Sequence, residues 1–193
     1  MAGKKKQKPK AKPNEDDNAT NGAKDLDSNG AITVVRPQKK HWYSITAMTA
    51  AYFPYAGFSY AEILRRLQTN NIFYYVALVG GHTAGFVDFE IKPDSAQILG
   101  IAVLEEYRDR GIGSKLLAKA VSEIRKISRQ RRKTEPTATP ISRIDLMVSE
   151  TNPPALALYR KFGFDLKGKL DHQLWGQDIL VFCKKLEKTK TLS

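Results

Sequence analysis

Six residues, Arg108-Asp109-Arg110-Gly111-Ile112-Gly113, join an apolar stretch to a long amphipathic one, a strand–glycine loop–helix junction of the kind that can hold a pyrophosphate. Residues 97–103 run Gln-Ile-Leu-Gly-Ile-Ala-Val, which has the character of a buried strand. From Ile112 onward, Leu116, Leu117, Ala120, Val121, Ile124 and Ile127 recur at helical spacing, so one face of a helix is apolar. Between strand and helix, Gly111 and Gly113 let the backbone approach a ligand with no Cβ in the way. The first-turn N–H groups of such a helix point into the loop, and its dipole favours an anion there by up to about 2 kcal/mol. Arg108 and Arg110 add positive charge. An ordinary turn with solvated arginines fits these six residues equally well. The loop has neither the Lys-Ser/Thr pair of a P-loop nor the three-glycine spacing of a dinucleotide fold.

The segment does match Arg/Gln-x-x-Gly-x-Gly/Ala, and two blocks around it extend the likeness. Residues 98–108, Ile-Leu-Gly-Ile-Ala-Val-Leu-Glu-Glu-Tyr-Arg, resemble the fourth strand and the entry to the pyrophosphate loop of the GNAT superfamily of acyl-CoA N-acyltransferases. Residues 148–155 and 158–164, the latter Leu-Tyr-Arg-Lys-Phe-Gly-Phe, resemble its fifth strand, following helix and Asn/Tyr motif. The similarity extends over roughly residues 31–186. It implies an α+β fold: a mostly antiparallel seven-stranded sheet, splayed between strands 4 and 5 and flanked by about four helices.

Apolar and turn patterning supports that order. Strands are predicted over 31–36, 72–79, 83–91, 97–103, 144–148, 164–170 and 177–186, and helices over 42–52, 59–68, from 112 into the basic cluster, and from Pro153 to Gly163. Ser59 and Asn152 are N-caps, with Pro153 at the first helical position. Lys92-Pro93-Asp94-Ser95 is a tight turn.

Residues 1–30 hold seven Lys and five acidic residues, so +10 of the net charge of +12 sits on the remainder. This first segment has almost no large apolar side chains and is expected to be a disordered tail. The acyltransferase domain then spans 31–186 and a polar tail 187–193. The lone Cys183 excludes an internal disulfide and, within an apolar run, reads as a core thiol rather than a nucleophile. His41, His82 and His172 have no metal-ligand spacing, so no metal is expected. No run approaches a membrane span and no secretory signal is visible, which points to the cytoplasm. Arg125, Lys126, Arg129, Arg131, Arg132 and Lys133 cluster at 125–133. Cations suit a helix C-terminus, and the cluster also fits contact with a ribosome, RNA or an acidic partner.

The resemblance assigns roles. Backbone groups of Ile101, Ala102 and Val103 would hold acetyl-CoA, the acyl-donor co-substrate. Its pyrophosphate would rest on the loop Arg108, Asp109, Arg110, Gly111, Ile112, Gly113 and Ser114. Asn152 would contact the pantetheine arm and Tyr159 would protonate the departing thiol. Two positions depart from the pattern. Relatives that acetylate protein N-termini carry Glu or His where this chain has Met147, and lysine-acetylating relatives often carry Glu where it has Gln97. A four-residue turn at 92–95 would set Glu90 opposite Gln97, making Glu90 a substitute base. A water relay or no enzymatic base remains open, since an α-amine with pKa near 8 is partly neutral at pH 7.

Residues 158–164, Gly176-Gln177-Asp178 and Phe53-Pro54 resemble N-terminal protein acetyltransferases of the ribosomal-protein-alanine type. The Tyr-Tyr pair that often clasps the peptide in such enzymes is His172-Gln173 here. The expected acceptor is therefore a protein N-terminal α-amine, with a lysine or small-molecule amine as the alternative. A non-catalytic acyl-CoA fold that binds RNA or protein is the reading from another class.

Overall fold

The protein's structure is a computed structural model that describes residues 30–174 and 176–186. The tails expected over 1–30 and 187–193 lie outside the described residues, apart from Gly30. The chain order is β1 (Thr33–Val35), α1 (Lys39–Tyr52), α2 (Tyr60–Leu67), β2 (Ile72–Val79), β3 (His82–Ile91), β4 (Ser95–Val103), α3 (Ile112–Thr134), β5 (Arg143–Ser149), α4 (Pro153–Lys161), β6 (Asp165–Lys169) and β7 (Ile179–Lys185). Single 3-10 turns occupy Pro54–Ala56 and Glu105–Tyr107.

Local chemistry sets several boundaries. Ser59 caps α2 by accepting from the Glu62 N–H at 3.3 Å, while Glu62 reaches back to the Ser59 N–H at 2.7 Å. Helix α1 starts at Lys39 rather than at 42. The cause is the N-terminal turn, in which the Gln38 N–H donates to His41 Nδ1 at 2.9 Å. Glutamine is a poor N-cap signal, and the bond that fixes the start comes from the third helical residue. Strand β1 is confined to Thr33–Val35.

The sheet order is β1-β2-β3-β4-β5-β7-β6. All neighbours are antiparallel except β4 and β5, which run parallel from Ser95↔Arg143 to Ile98↔Leu146. Helix α3 makes the crossover between them. One sheet face buries Val87, Phe89, Ala96, Ile98, Ile144 and Leu146 with Leu116, Leu117 and Ile124 of α3 and with Leu156 and Tyr159 of α4. Fully burying each such leucine or isoleucine stabilises the fold by roughly 2 kcal/mol. The other face packs Tyr74, Val76, Phe86 and Ala102 against Ile45 and Met48 of α1. Cys183 is buried, and desolvation pushes its thiol pKa up. Among the described residues no helix is long and apolar enough to cross a membrane.

Candidate active site

Pairing between β4 and β5 ends at Ile98↔Leu146, yet β4 runs on to Val103 and β5 to Ser149. The two strands therefore part. Over Ile101, Ala102 and Val103 the strand stays paired to β3, at Val87, Phe86 and Gly85. Its other edge carries alternate N–H and C=O groups that pair with no strand among the described residues, which a ligand can use. The parting begins at a bulge: Phe89 pairs with Ile98 and Asp88 with Gly100, so Leu99 is the extra residue.

Beyond β4 the chain turns through Arg108–Gly113 into α3. Asp109 (φ 61°) and Gly111 (φ 75°) both take the left-handed region, and Gly111 is the N-cap. Alternation of this kind turns successive N–H groups toward one concavity, an anion nest. Among the described residues, no atom beyond Gly111's own neighbours and helix backbone lies within 4 Å of where its Cβ would stand, so there is open space at this point of the loop. The first helical bond runs from the Lys115 N–H to the Gly111 carbonyl, and the N–H groups ahead of it have no partner within the helix. Arg108 folds back over β4, its Nε 3.4 Å from the Val103 carbonyl and its guanidinium 5.6 Å from the Tyr52 ring centre. Arg110 lies 5.6 Å from the Tyr107 ring centre.

Across the gap, β5 leads into α4. Asn152 caps it, its Oδ1 accepting from the Ala155 N–H at 3.2 Å, with Pro153 first in the helix. That leaves the Asn152 amide NH2 as a donor. Tyr159, two turns on, is buried with its ring edge-on to Phe164 at 6.0 Å.

The face carrying α1 and α2 holds the remaining candidate residues. Glu90 pairs with Gln97, the register that a tight turn at 92–95 implies, and the bulge lies beyond that pair. Its carboxylate accepts from Asn71 Nδ2 at 2.9 Å, and Gln97 accepts from Lys92 Nζ. Met147 is 47% exposed, and its neighbours Leu146 and Val148 lie in the core cluster that includes α3 residues, so alternation sets it on the α1/α2 face. Asp145 shares that face and is bound by Arg143 Nε at 2.9 Å. On the β6–β7 connection, Gln173 Nε2 donates to Asp178 at 3.0 Å and His172 contacts Asp171 at 2.8 Å.

Sequence reasoning missed Asp88. It is 6% exposed, and Arg66 Nη2 reaches its Oδ2 at 3.3 Å. Burial pushes its carboxyl pKa up to about 6, against the opposing pull of Arg66 and of the Tyr74 hydroxyl, which hydrogen-bonds it. Burial, followed by the Asp88 charge, pushes the Tyr74 hydroxyl up to about 12. A signal was present: Asp88 is an acid inside the apolar run Phe86-Val87-Asp88-Phe89, where a charge is costly unless paired.

Residues 70–166, which include the loop, Asn152 and Tyr159, match the family model described as an acetyltransferase (GNAT) domain. The chain belongs to the GNAT acetyltransferase family. A Bacillus subtilis (strain 168) protein named as a ribosomal protein bS18-alanine N-acetyltransferase is 37% identical over 95 residues, 49% of this chain and 55% of that protein. The match thus spans about half the length of that curated relative. The crystal structure of the ribosomal-protein-S18-alanine N-acetyltransferase from Escherichia coli superposes with a TM-score of 0.67. It covers 84% of this chain and 99% of that chain at 18% identity. NAA60 of Arabidopsis thaliana in complex with acetyl-CoA gives 0.65 over 81% and 99% at 19% identity. The splayed seven-stranded sheet with its parallel β4–β5 step is the GNAT fold.

Proposed function

We propose that the protein transfers the acetyl group of acetyl-CoA directly to a primary amine, the N-terminal α-amine of a protein, in the cytoplasm. One observation supports this: β4 and β5 part, and each then leads into a helix, α3 through the left-handed Gly111 and α4 through the Asn152 cap. Acetyl-CoA supplies an activated thioester. The chain's own groups hold it: the backbone of Ile101, Ala102 and Val103 along the open strand edge, the loop from Arg108 to Ser114 at the pyrophosphate, and the Asn152 amide at the pantetheine arm. Positioned donors of this kind polarise a carbonyl without reorganising. Tyr159 gives its phenol proton to the departing sulfur. On the acceptor face, Glu90, opposite Gln97, and Asp88, opposite Gly100, are carboxylates placed to take a proton from the amine.

A protein acceptor is supported by the names of two relatives, which specify an alanine of ribosomal protein S18. Met147 and His172-Gln173 leave a lysine or small amine as the competing acceptor. The basic cluster at 125–133 supports contact with an acidic partner such as ribosomal RNA. Within it, Arg131 is occupied, its Nη1 donating to the Pro93 carbonyl at 2.9 Å. Thiol release from acetyl-CoA with N-terminal peptides, lysine peptides and small amines tests the acceptor class. Release confined to peptides with a free α-amine supports the proposal, and release confined to another amine refutes it.

A further inference from the structure

The two oxygens of Asp88 face different ways. Oδ2 is held by Arg66 Nη2 of α2 at 3.3 Å. Oδ1 leans over Gly100, lying 3.0 Å from where a Cβ on that residue would stand, and the Phe53 ring edge reaches the same point at 3.0 Å. Gly100 follows the Leu99 bulge, at the level where β4 has left β5. Asp88 is thus a buried carboxylate on the α1/α2 face, level with the parting of the strands, packed beside the Phe53 ring over a residue whose lack of a side chain makes room for both. Glu90 is one step further from the parting, level with Gln97 and tied to Asn71. We infer that Asp88, oriented by Arg66 and Tyr74 over Gly100, is the general base that deprotonates the acceptor amine, an assignment that rests on the acetyl transfer proposed above.

The step balances. Asp88 Oδ1 takes one proton from the arriving ammonium and leaves a neutral amine. The nitrogen bonds to the acetyl carbon as the carbon–sulfur bond breaks. Tyr159 passes its phenol proton to the sulfur and regains one from the nitrogen, and Asp88 later yields its proton to water. Ammonium and thioester become amide, thiol and one proton. A buried carboxyl with its pKa near 6 is ionised at pH 7 and remains basic enough to accept from an amine of pKa near 8. The charged and titratable groups facing it are Arg66 from α2 and Tyr74 from β2, while β4 presents Gly100.

The test is the pH dependence of kcat/KM for an N-terminal peptide at saturating acetyl-CoA, in wild type, Asp88→Asn, Arg66→Gln and Glu90→Gln. Asp88→Asn lowers the value at pH 7 by roughly 10²-fold, and the deficit narrows above about pH 8 as the amine loses its proton unaided. Its KM for acetyl-CoA is unchanged. Arg66→Gln moves the ascending limb to higher pH by removing the cation that favours the ionised carboxylate. With an aminooxy peptide, whose nucleophile is neutral at pH 7, Asp88→Asn matches wild type, which a merely structural loss would not allow. An unaltered profile in Asp88→Asn, an equal loss with the aminooxy peptide, or a limb shifted by Glu90→Gln alone overturns the assignment of Asp88. Absence of turnover in wild type overturns the acetyl transfer itself and this role with it.

Discussion

Removing the buried charge at position 88 should make the protein more stable while making it a worse catalyst. The Asp88 carboxyl titrates at about 6 in the folded protein against an ordinary 3.8, a rise of about two units, and each unit is worth about 1.4 kcal/mol. Because the folded pKa is raised, the folded state keeps a proton that the unfolded chain has already lost between about pH 4 and 6. Stability from this group is therefore full below about pH 4 and declines as pH rises through 6, by about 3 kcal/mol in all. Asn resembles the protonated acid in shape and charge, so Asp88→Asn removes that decline. Imperfect hydrogen bonds to Arg66 and Tyr74 return about 1 kcal/mol of it. The variant should be more stable than wild type at pH 7 by about 2 kcal/mol, or roughly 4–8 °C in Tm for a domain of this size. Urea denaturation of both proteins at pH 4 and pH 7 measures it, and the difference between them isolates Asp88 from the other titrating groups. A variant less stable than wild type at pH 7, or one with the same loss of stability between pH 4 and 7, would refute the reasoning.

Three further substitutions separate the halves of the site. Tyr159→Phe keeps the ring packed on Phe164 and removes the phenol proton, so kcat should fall roughly 10²-fold or more with little change in the KM for acetyl-CoA; steady-state kinetics with chemistry rate-limiting checks it. Gly111→Ala puts a Cβ on a residue at φ 75°, which costs about 1 kcal/mol and should weaken coenzyme A binding measured by calorimetry. Gly85→Ala would bring a Cβ to 2.5 Å from the Ala102 carbonyl oxygen, so β4 must shift where it should hold the thioester. Its KM for acetyl-CoA should rise and its Tm fall, both readable on the purified variant.

The loop, cap and helix starts of the candidate donor half were legible in the sequence, because their signals are local. A strand, two glycines and a helical repeat lie within about thirty residues, and the Asn152 cap with Pro153 is a three-residue pattern. The register of Glu90 against Gln97 also followed from the turn at 92–95, since a four-residue turn fixes which residues face each other. The acceptor half was less legible because it is assembled from distant elements. The surroundings of the proposed base Asp88 come from Arg66 of α2, Tyr74 of β2 and Gly100 of β4, and the Leu99 bulge that aligns Asp88 with Gly100 leaves no trace in an apolar run. The start of α1 at Lys39 was hidden for a related reason, as its capping contact comes from His41 rather than from a standard N-cap residue.

Thiol release from acetyl-CoA, followed with purified protein against N-terminal peptides, lysine peptides and small amines, tests the central claim most directly. Stoichiometric release of thiol with acetylation of the α-amine of a peptide, abolished by blocking that amine, is the predicted result. Release that persists with the α-amine blocked, or none with any amine, would contradict it.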